Sequence, residues 1–405
     1  MDRRDFLKTL SVAPLAGCAG TLAFAAVPAA RYTNVLILVE LKGGNDGLNT
    51  VVPYANPAYY QLRSKIAIER SQVLQLSQSA GLHPSLAPLM PLWEAQELAV
   101  VQGVGYPQPN LSHFRSIEIW DTASRSNEYL HDGWLARAFQ KVPPPQSFAA
   151  DGVVIGSPEL GPLAGGGART LMLANPEQFA RQARLAGAGA GEMPMASNAA
   201  LNHILKVEDD IVDAARKLTG HYEFKTEFPN HGFGKSVKAA CEVIGRQGSV
   251  AAVRITLNGF DTHSNQPGTQ GRLLRELAEG LASLKAALSE IDRWDSTLVM
   301  TYAEFGRRPR ENLSSGTDHG TANAHLVLGG AVRGGLYGEP PRLDRLDGNG
   351  NVPFAIDFRS LYAAVLNRWW GIAAEDVLGG RIEAIDVLKR SVTTGSVSRE
   401  EPIAV

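Results

Sequence analysis

The stretch from Asn34 to Pro53, N-V-L-I-L-V-E-L-K-G-G-N-D-G-L-N-T-V-V-P, constrains the fold more than any other. Val35 to Leu41 is an almost unbroken apolar run rich in β-branched residues, with Glu40 its one charged member. Such a run reads as a strand buried on both faces, the kind found at the centre of a parallel α/β sheet. It stops at Gly43-Gly44, where the backbone can turn sharply, and Asn45-Asp46-Gly47 follows at once. Open α/β sheets put their ligand crevice at the carboxyl ends of their strands. Asp46 therefore reads in two ways, as a turn residue or as a metal ligand.

The rest of the chain repeats the theme. Strands are expected at Leu98–Val101, Val250–Leu257, Thr297–Tyr302 and His325–Leu328. Helices are expected over Leu86–Glu97, Arg115–Thr122, Ser236–Arg246, Gly271–Arg293 and Phe358–Trp370. This alternation predicts parallel strands joined by helical crossovers. The expected fold is one α/β domain over residues 31–405, a central, mostly parallel sheet flanked by helices. Glycines crowd the region of about 147–235, which reads as an irregular cap or insertion with helices near Pro176–Leu185 and Asn198–Thr219.

A net charge of −2 leaves no basic excess for nucleic acid. Aromatic residues, 7% of the chain and scattered, argue against a carbohydrate-binding module. The N-terminus carries an address. Met1-Asp2-Arg3-Arg4-Asp5-Phe6-Leu7-Lys8 matches the twin-arginine export pattern, and Ala23-Phe24-Ala25 offers a cleavage site after a weakly apolar stretch. Residues 1–30 are thus expected to be a signal read by the twin-arginine translocase, and the mature protein periplasmic or secreted. Leu15-Ala16-Gly17-Cys18 also fits a lipobox, so membrane contact is expected only through the signal or through lipidation at Cys18. Once the signal is removed, Cys241 is the only cysteine, which excludes a disulfide or a multi-thiolate zinc site within one chain.

Polar sets recur near the strand ends. Asn258-Gly259-Phe260-Asp261-Thr262-His263 follows one strand, Ala303-Glu304-Phe305-Gly306-Arg307 follows another, and Gly316-Thr317-Asp318-His319-Gly320 precedes a third. Carboxylate with imidazole suits zinc, manganese or iron, and all-oxygen sets suit calcium or magnesium. Each set alone is an ordinary turn, but four along one sheet, counting Asn45-Asp46, predict a shared metal site. Ser112 opens a helix, where serine is a common N-cap. The same position faces anions, and a metal against the oxygen would make it a nucleophile. His113 reads as a supporting residue of that site, and Arg115 as a partner for an ester oxygen. Glu304, at the end of a buried strand, needs a metal or a cation; Arg307 and Arg308 offer the salt-bridge alternative.

The motifs G-G-N-D-G-L-N-T-V-V-P, S-H-F-R-S, F-D-T-H, E-F-G-R and G-T-D-H-G resemble the twin-arginine-exported bacterial family called domain of unknown function 1501. That family is placed in the alkaline phosphatase and sulfatase superfamily, and the resemblance runs from about Asn34 to Gly371. It implies an alkaline-phosphatase-like sheet with one or two divalent ions (zinc, manganese, calcium or magnesium) at its carboxyl edge. Carried over, Asp46, Asp261 and His263 resemble metal ligands and Ser112 the nucleophile. The superfamily's Asp-His-Gly after the next strand is here Ala303-Glu304-Phe305-Gly306, and Asp318-His319-Gly320 comes later. Either Glu304 replaces that pair and His319 is the last ligand, or the pair has moved to Asp318-His319. The implied function is metal-dependent hydrolysis of phosphate or sulfate esters of small molecules or glycans. The alternative, from another class, is a non-catalytic envelope or export-pathway protein that keeps the fold. On the hydrolase reading Asp46, Ser112, Asp261, His263 and His319 are expected to converge within about 8 Å of a common centre, and Ser112 on the opposite edge of the sheet from Asp261 would end the nucleophile role.

Overall fold

Val35–Lys42 forms strand β1, and its alternating side chains explain its uninterrupted apolar run. Val35, Ile37, Val39 and Leu41 enter one hydrophobic core, while Leu36 and Leu38 enter another on the opposite face. Burying each such side chain contributes about 1.5–3 kcal/mol. Helices Gly232–Ile244 and Gln266–Glu290 cover the first core. Helices His113–Thr122, Trp134–Lys141 and Arg359–Ala364 cover the second.

The computed structural model describes residues 32–173, 222–245 and 250–389. The signal segment with Cys18, the helices expected near Pro176–Leu185 and Asn198–Thr219, and the expected helix end at Arg246 lie outside the described residues.

The other strands are β2 (Val51–Val52), β3 (Leu74–Gln75), β4 (Gly81–Leu82), β5 (Leu98–Gly105), β6 (Gly152–Ile155) and β7 (Thr170–Leu173). They continue with β8 (Ala252–Asn258), β9 (Thr297–Tyr302), β10 (Arg307–Glu311), β11 (Thr317–His319) and β12 (Asn323–Leu328). Last come β13 (Gly335–Tyr337) and β14 (Ile356–Asp357). The central sheet runs β13-β5-β12-β9-β1-β8-β6-β7, with β14 also on β5. β1 pairs in parallel with both β8 and β9, register Leu36↔Ala252 and Val35↔Thr297. The chain is therefore a mixed α/β fold with a large, mostly parallel central sheet flanked by helices.

Three features differ from the sequence-based expectation. β12 runs antiparallel to both neighbours. The chain reaches it from β9 through the β10–β11 hairpin, with no crossover helix to carry it back to the opposite edge. Within the region expected to be irregular, β6 and β7 extend the central sheet, because Val153, Val154 and Ile155 supply a short buried run. The segment after His83 is a 3-10 turn, Pro84–Leu89, followed by a short helix, Met90–Glu94, since Pro88 and Pro91 interrupt a continuous α-helix.

Candidate metal centre

Parallel pairing puts the carboxyl ends of β8, β1 and β9 at one edge of the sheet. The carboxyl end of β5 lies at the same edge, because β5 and β9 both run opposite to β12. The amino end of β12 lies there for the same reason. Gly43-Gly44, Asp261, Glu304, the start of the helix at His113, and His319 are thereby gathered from stretches far apart in sequence. Gly43 has φ +115°, and a Cβ on it would come within 2.4 Å of the Asp261 amide nitrogen. Only glycine lets the β1 turn close onto the Asp261 loop.

His113, Asp261 and His319 offer one ligand atom each, and these atoms all lie within 4.8 Å of one another. The outward nitrogens fix what the inward ones can do. His319 Nδ1 stands 2.8 Å from the Leu111 carbonyl oxygen, which can only accept, so Nδ1 carries the proton. His113 Nδ1 lies 2.8 Å from Glu304 Oε1 and donates to it. In the neutral rings both Nε2 atoms are then bare acceptors, turned on the Asp261 carboxylate at 3.3 Å from His319 and 3.5 Å from His113. Facing acceptors are reconciled by a cation or by a proton such as one on the adjoining His263 Nε2, and carboxylate-backed imidazole is the usual support of a metal ligand. The donor set therefore fits a divalent ion.

The hydrogen bond to Glu304 raises the His113 pKa above its ordinary value. Burial lowers that of His319, although the Leu111 carbonyl opposes the shift. Burial alone would raise Asp261, yet the Arg307 hydrogen bond and charge, with His319, hold its carboxyl below the usual range. The Phe305 ring lies 4.9 Å from the His113 ring and 4.4 Å from that of His319, so it wedges both imidazoles.

Not every residue singled out in the sequence joins this group. His263 adjoins it, its Nε2 at 3.0 Å from Asp261 Oδ1 and 3.0 Å from His319 Nε2. Asp318 stands outside, exposed, with Oδ1 3.7 Å from His263 Nδ1. Asp46 is sealed instead. Arg63 grips it at 2.5 and 3.0 Å, Gln266 donates to it at 2.5 Å, and the Leu48 amide caps on it at 3.1 Å. Of these contacts only the Leu48 cap is that of a turn residue; Arg63 and Gln266 reach Asp46 from elsewhere in the chain. Among the described residues, Glu304 does not take the salt-bridge alternative weighed for it. Its Oε1 accepts from His113 and from the Gly43 amide at 2.9 Å, and no arginine pairs with it. Arg307 goes to Asp261 at 2.6 Å and to the carbonyls of Gly44 and Thr317, which makes it a clamp across three loops.

Ser112 is exposed at the start of its helix and makes no side-chain capping bond. Arg115 turns away from the centre, to the carbonyls of Ser126 and Glu128 and onto the Tyr129 ring at 3.9 Å. His113 as a candidate ligand is absent from the sequence-based set. The available signal was its position one residue after the helix-opening serine, at the edge where strand ends meet.

A cavity of 690 Å³ opens beside the cluster, bounded by His113, Asp261 and Glu304 on one side and by Glu40, Phe114 and Asp121 on the other.

Among solved structures, the chain is similar to the lipoteichoic acid synthase LtaP from Listeria monocytogenes. That match is 11% identical, covers 85% of this chain and 76% of that one, and has a TM-score of 0.38. The phosphonate monoester hydrolase of Agrobacterium radiobacter is 10% identical over 86% of this chain and 78% of its own, at a TM-score of 0.39. The alkaline phosphatase of the Antarctic bacterium TAB5 is 10% identical over 75% and 94%, at 0.32. These likenesses are too remote to speak for the chemistry of this chain. No curated protein matches it. The family described as protein of unknown function, DUF1501, matches residues 75–381, most of the chain, and the protein belongs to that family.

Proposed function

We propose that the protein is an exported, metal-dependent hydrolase of phosphate or sulfate esters, with Ser112 as its nucleophile. One observation carries this reading: the bare nitrogens of His113 and His319 converge on Asp261 while their other nitrogens are spent as donors. Two imidazoles with one carboxylate suit zinc or manganese better than calcium or magnesium. A divalent ion bound there would supply Lewis acidity to the ester oxygens. Ser112 contributes an uncommitted hydroxyl at the N-terminus of the helix His113–Thr122, whose amides and dipole favour an anion. Its oxygen would attack phosphorus or sulfur, its proton passing to the alcohol as that ester bond breaks; water would then cleave the seryl ester, returning a proton to Ser112 and freeing the phosphate or sulfate. Glu304 holds His113 by its Nδ1–H, and Arg307 holds Asp261, so neither ligand has to be ordered when substrate arrives.

Zinc- or manganese-loaded protein should hydrolyse a 4-nitrophenyl phosphate or sulfate, and Ser112→Ala should lower kcat by orders of magnitude with metal content unchanged. Turnover that survives Ser112→Ala removes the nucleophile. A metal-loaded protein that hydrolyses neither ester favours the second reading, a non-catalytic envelope or export-pathway protein. The withdrawal of Asp46 to Arg63 is the observation on that side.

Export rests on Arg3-Arg4 and the residues after them. Among the described residues, no helix is long and apolar enough to cross a membrane. Replacing both arginines by lysine should leave the protein in the cytoplasm, and normal export of that variant would refute the assignment.

A further inference from the structure

The cavity beside the metal centre holds carboxylates that its cations do not satisfy. Three acids on its lining are paired: Glu159 with Lys42 at 2.6 Å, Glu118 with Arg115 at 2.9 Å, and Asp261 with Arg307 at 2.6 Å. The other three are not, or only in part. Glu40, 0% exposed, gives Oε2 to Arg254 at 2.6 Å and Thr256 at 2.9 Å, but its Oε1 has no hydrogen-bond partner. Glu304, 2% exposed, likewise leaves Oε2 without one. Among the described residues Asp121 meets neither lysine nor arginine in a salt bridge, and its side chain accepts only a long hydrogen bond from the Tyr302 hydroxyl, 3.5 Å.

A buried carboxylate oxygen without a donor is costly and calls for an absent group. Glu40 and Glu304 line one cavity together with Asp121, which favours an occupant that brings N–H or O–H donors and positive charge. A metal ion does not fit. The three acids do not bring their oxygens together as ligands would, and the group that does so among the described residues is the His113 cluster. The rest of the lining is mixed: Ile117, Leu130 and the 88% exposed Phe114 are apolar, and Lys42, Asn258 and His131 are polar. The apolar part suits a short alkyl arm, and an aromatic ring there can face a cation.

We infer that this cavity binds a primary ammonium group on a short alkyl arm, and that the esters handled at the adjacent centre carry such an amine. The ester half of this statement rests on the hydrolase reading above; the ammonium half does not. Burial pushes Asp121 up to about 8 against the pull of Arg254, so an arriving cation would restore its ionised form.

The test is calorimetric binding of butylammonium and of butan-1-ol to the zinc-loaded full chain. Butylammonium should bind at least about tenfold more tightly, a difference of about 1.4 kcal/mol. Asp121→Asn, which leaves the Glu40–Arg254 pair intact, should erase that preference. Should Asp121→Asn fold poorly, Leu130→Lys places a fixed ammonium in the wall and should abolish butylammonium binding in its stead. Equal affinity for the two probes, or a preference that survives Asp121→Asn or Leu130→Lys, overturns the inference. Neither readout needs turnover, so a protein that binds ammonium selectively but hydrolyses no ester would sink the hydrolase reading alone.

Discussion

Asp46 and Asp261 occupy comparable places, each just past the carboxyl end of a central parallel strand, and the fold uses them oppositely. Asp46 has 0% of its side chain exposed and every oxygen answered by a donor from Arg63, Gln266 or Leu48. Asp261 has 47% of its side chain exposed and faces three imidazoles, with one arginine behind it. A carboxylate becomes available for a ligand when its donors come from one side only. When donors surround it, the same residue becomes a rivet that joins β1 to the segment carrying Arg63.

The pair of substitutions Asp46→Asn and Asp261→Asn breaks this comparison most directly. Asp46→Asn strands the buried Arg63 and should cost about 3–5 kcal/mol of stability by denaturant titration. Asp261→Asn should abolish stoichiometric zinc binding, read by metal analysis, and cost less stability than Asp46→Asn, because the buried Arg307 keeps the carbonyls of Gly44, Thr317 and Phe260. Wild-type stability in Asp46→Asn, or full metal occupancy in Asp261→Asn, would reverse the assigned roles.

The next effect is a pH dependence confined to the sealed side. His83, 6% exposed and within reach of the Asp46 charge, is lowered from 6.5 to about 4, chiefly by burial. It stays neutral in the folded protein while the unfolded chain takes up a proton below pH 6.5. Its contribution is therefore whole above that pH and shrinks as pH falls towards 4, by about 3 kcal/mol in all at about 1.4 kcal/mol per pH step. His83→Asn, which keeps an acceptor for the Ser85 amide, should flatten that acid slope in denaturation midpoints. An unchanged slope would show that His83 is not its source.

The smallest effect sharpens the open side. Glu304→Gln keeps an acceptor for the Gly43 amide but weakens the hold on His113 Nδ1. Zinc affinity should fall about 10–100-fold, the usual range for residues behind a ligand. Complete metal loss would make Glu304 a ligand itself, and unchanged affinity would leave it a purely structural residue.

Much of the site was legible because strand ends and polar sets coincide in sequence. Asp261, His263 and Glu304 lie just past buried runs, and His319 lies in a motif that precedes one. Their division of labour was not legible. Arg63 sits in a polar stretch with no pattern that points to Asp46, and Leu111 shows its use only as a carbonyl facing His319. The Glu40–Arg254 pair depends on the register of β1 with β8, which places Glu40 opposite Thr256. No local spacing encodes such a contact.

The chain by itself determined β1 as a strand buried on both faces, because its apolar residues leave no polar side to turn to water. It also determined the sharp turn at Gly43-Gly44, since both glycines hold positive φ that side chains resist. Which acid would be closed and which left open was decided only in three dimensions. Donor count around a carboxylate depends on what other strands and loops deliver to it, and Arg63, Gln266 and Arg307 arrive from elements that meet only when the sheet is assembled. The antiparallel course of β12 was decided in the same way, by a hairpin that returned the chain at the edge where β9 left it, and this brought His319 to the site.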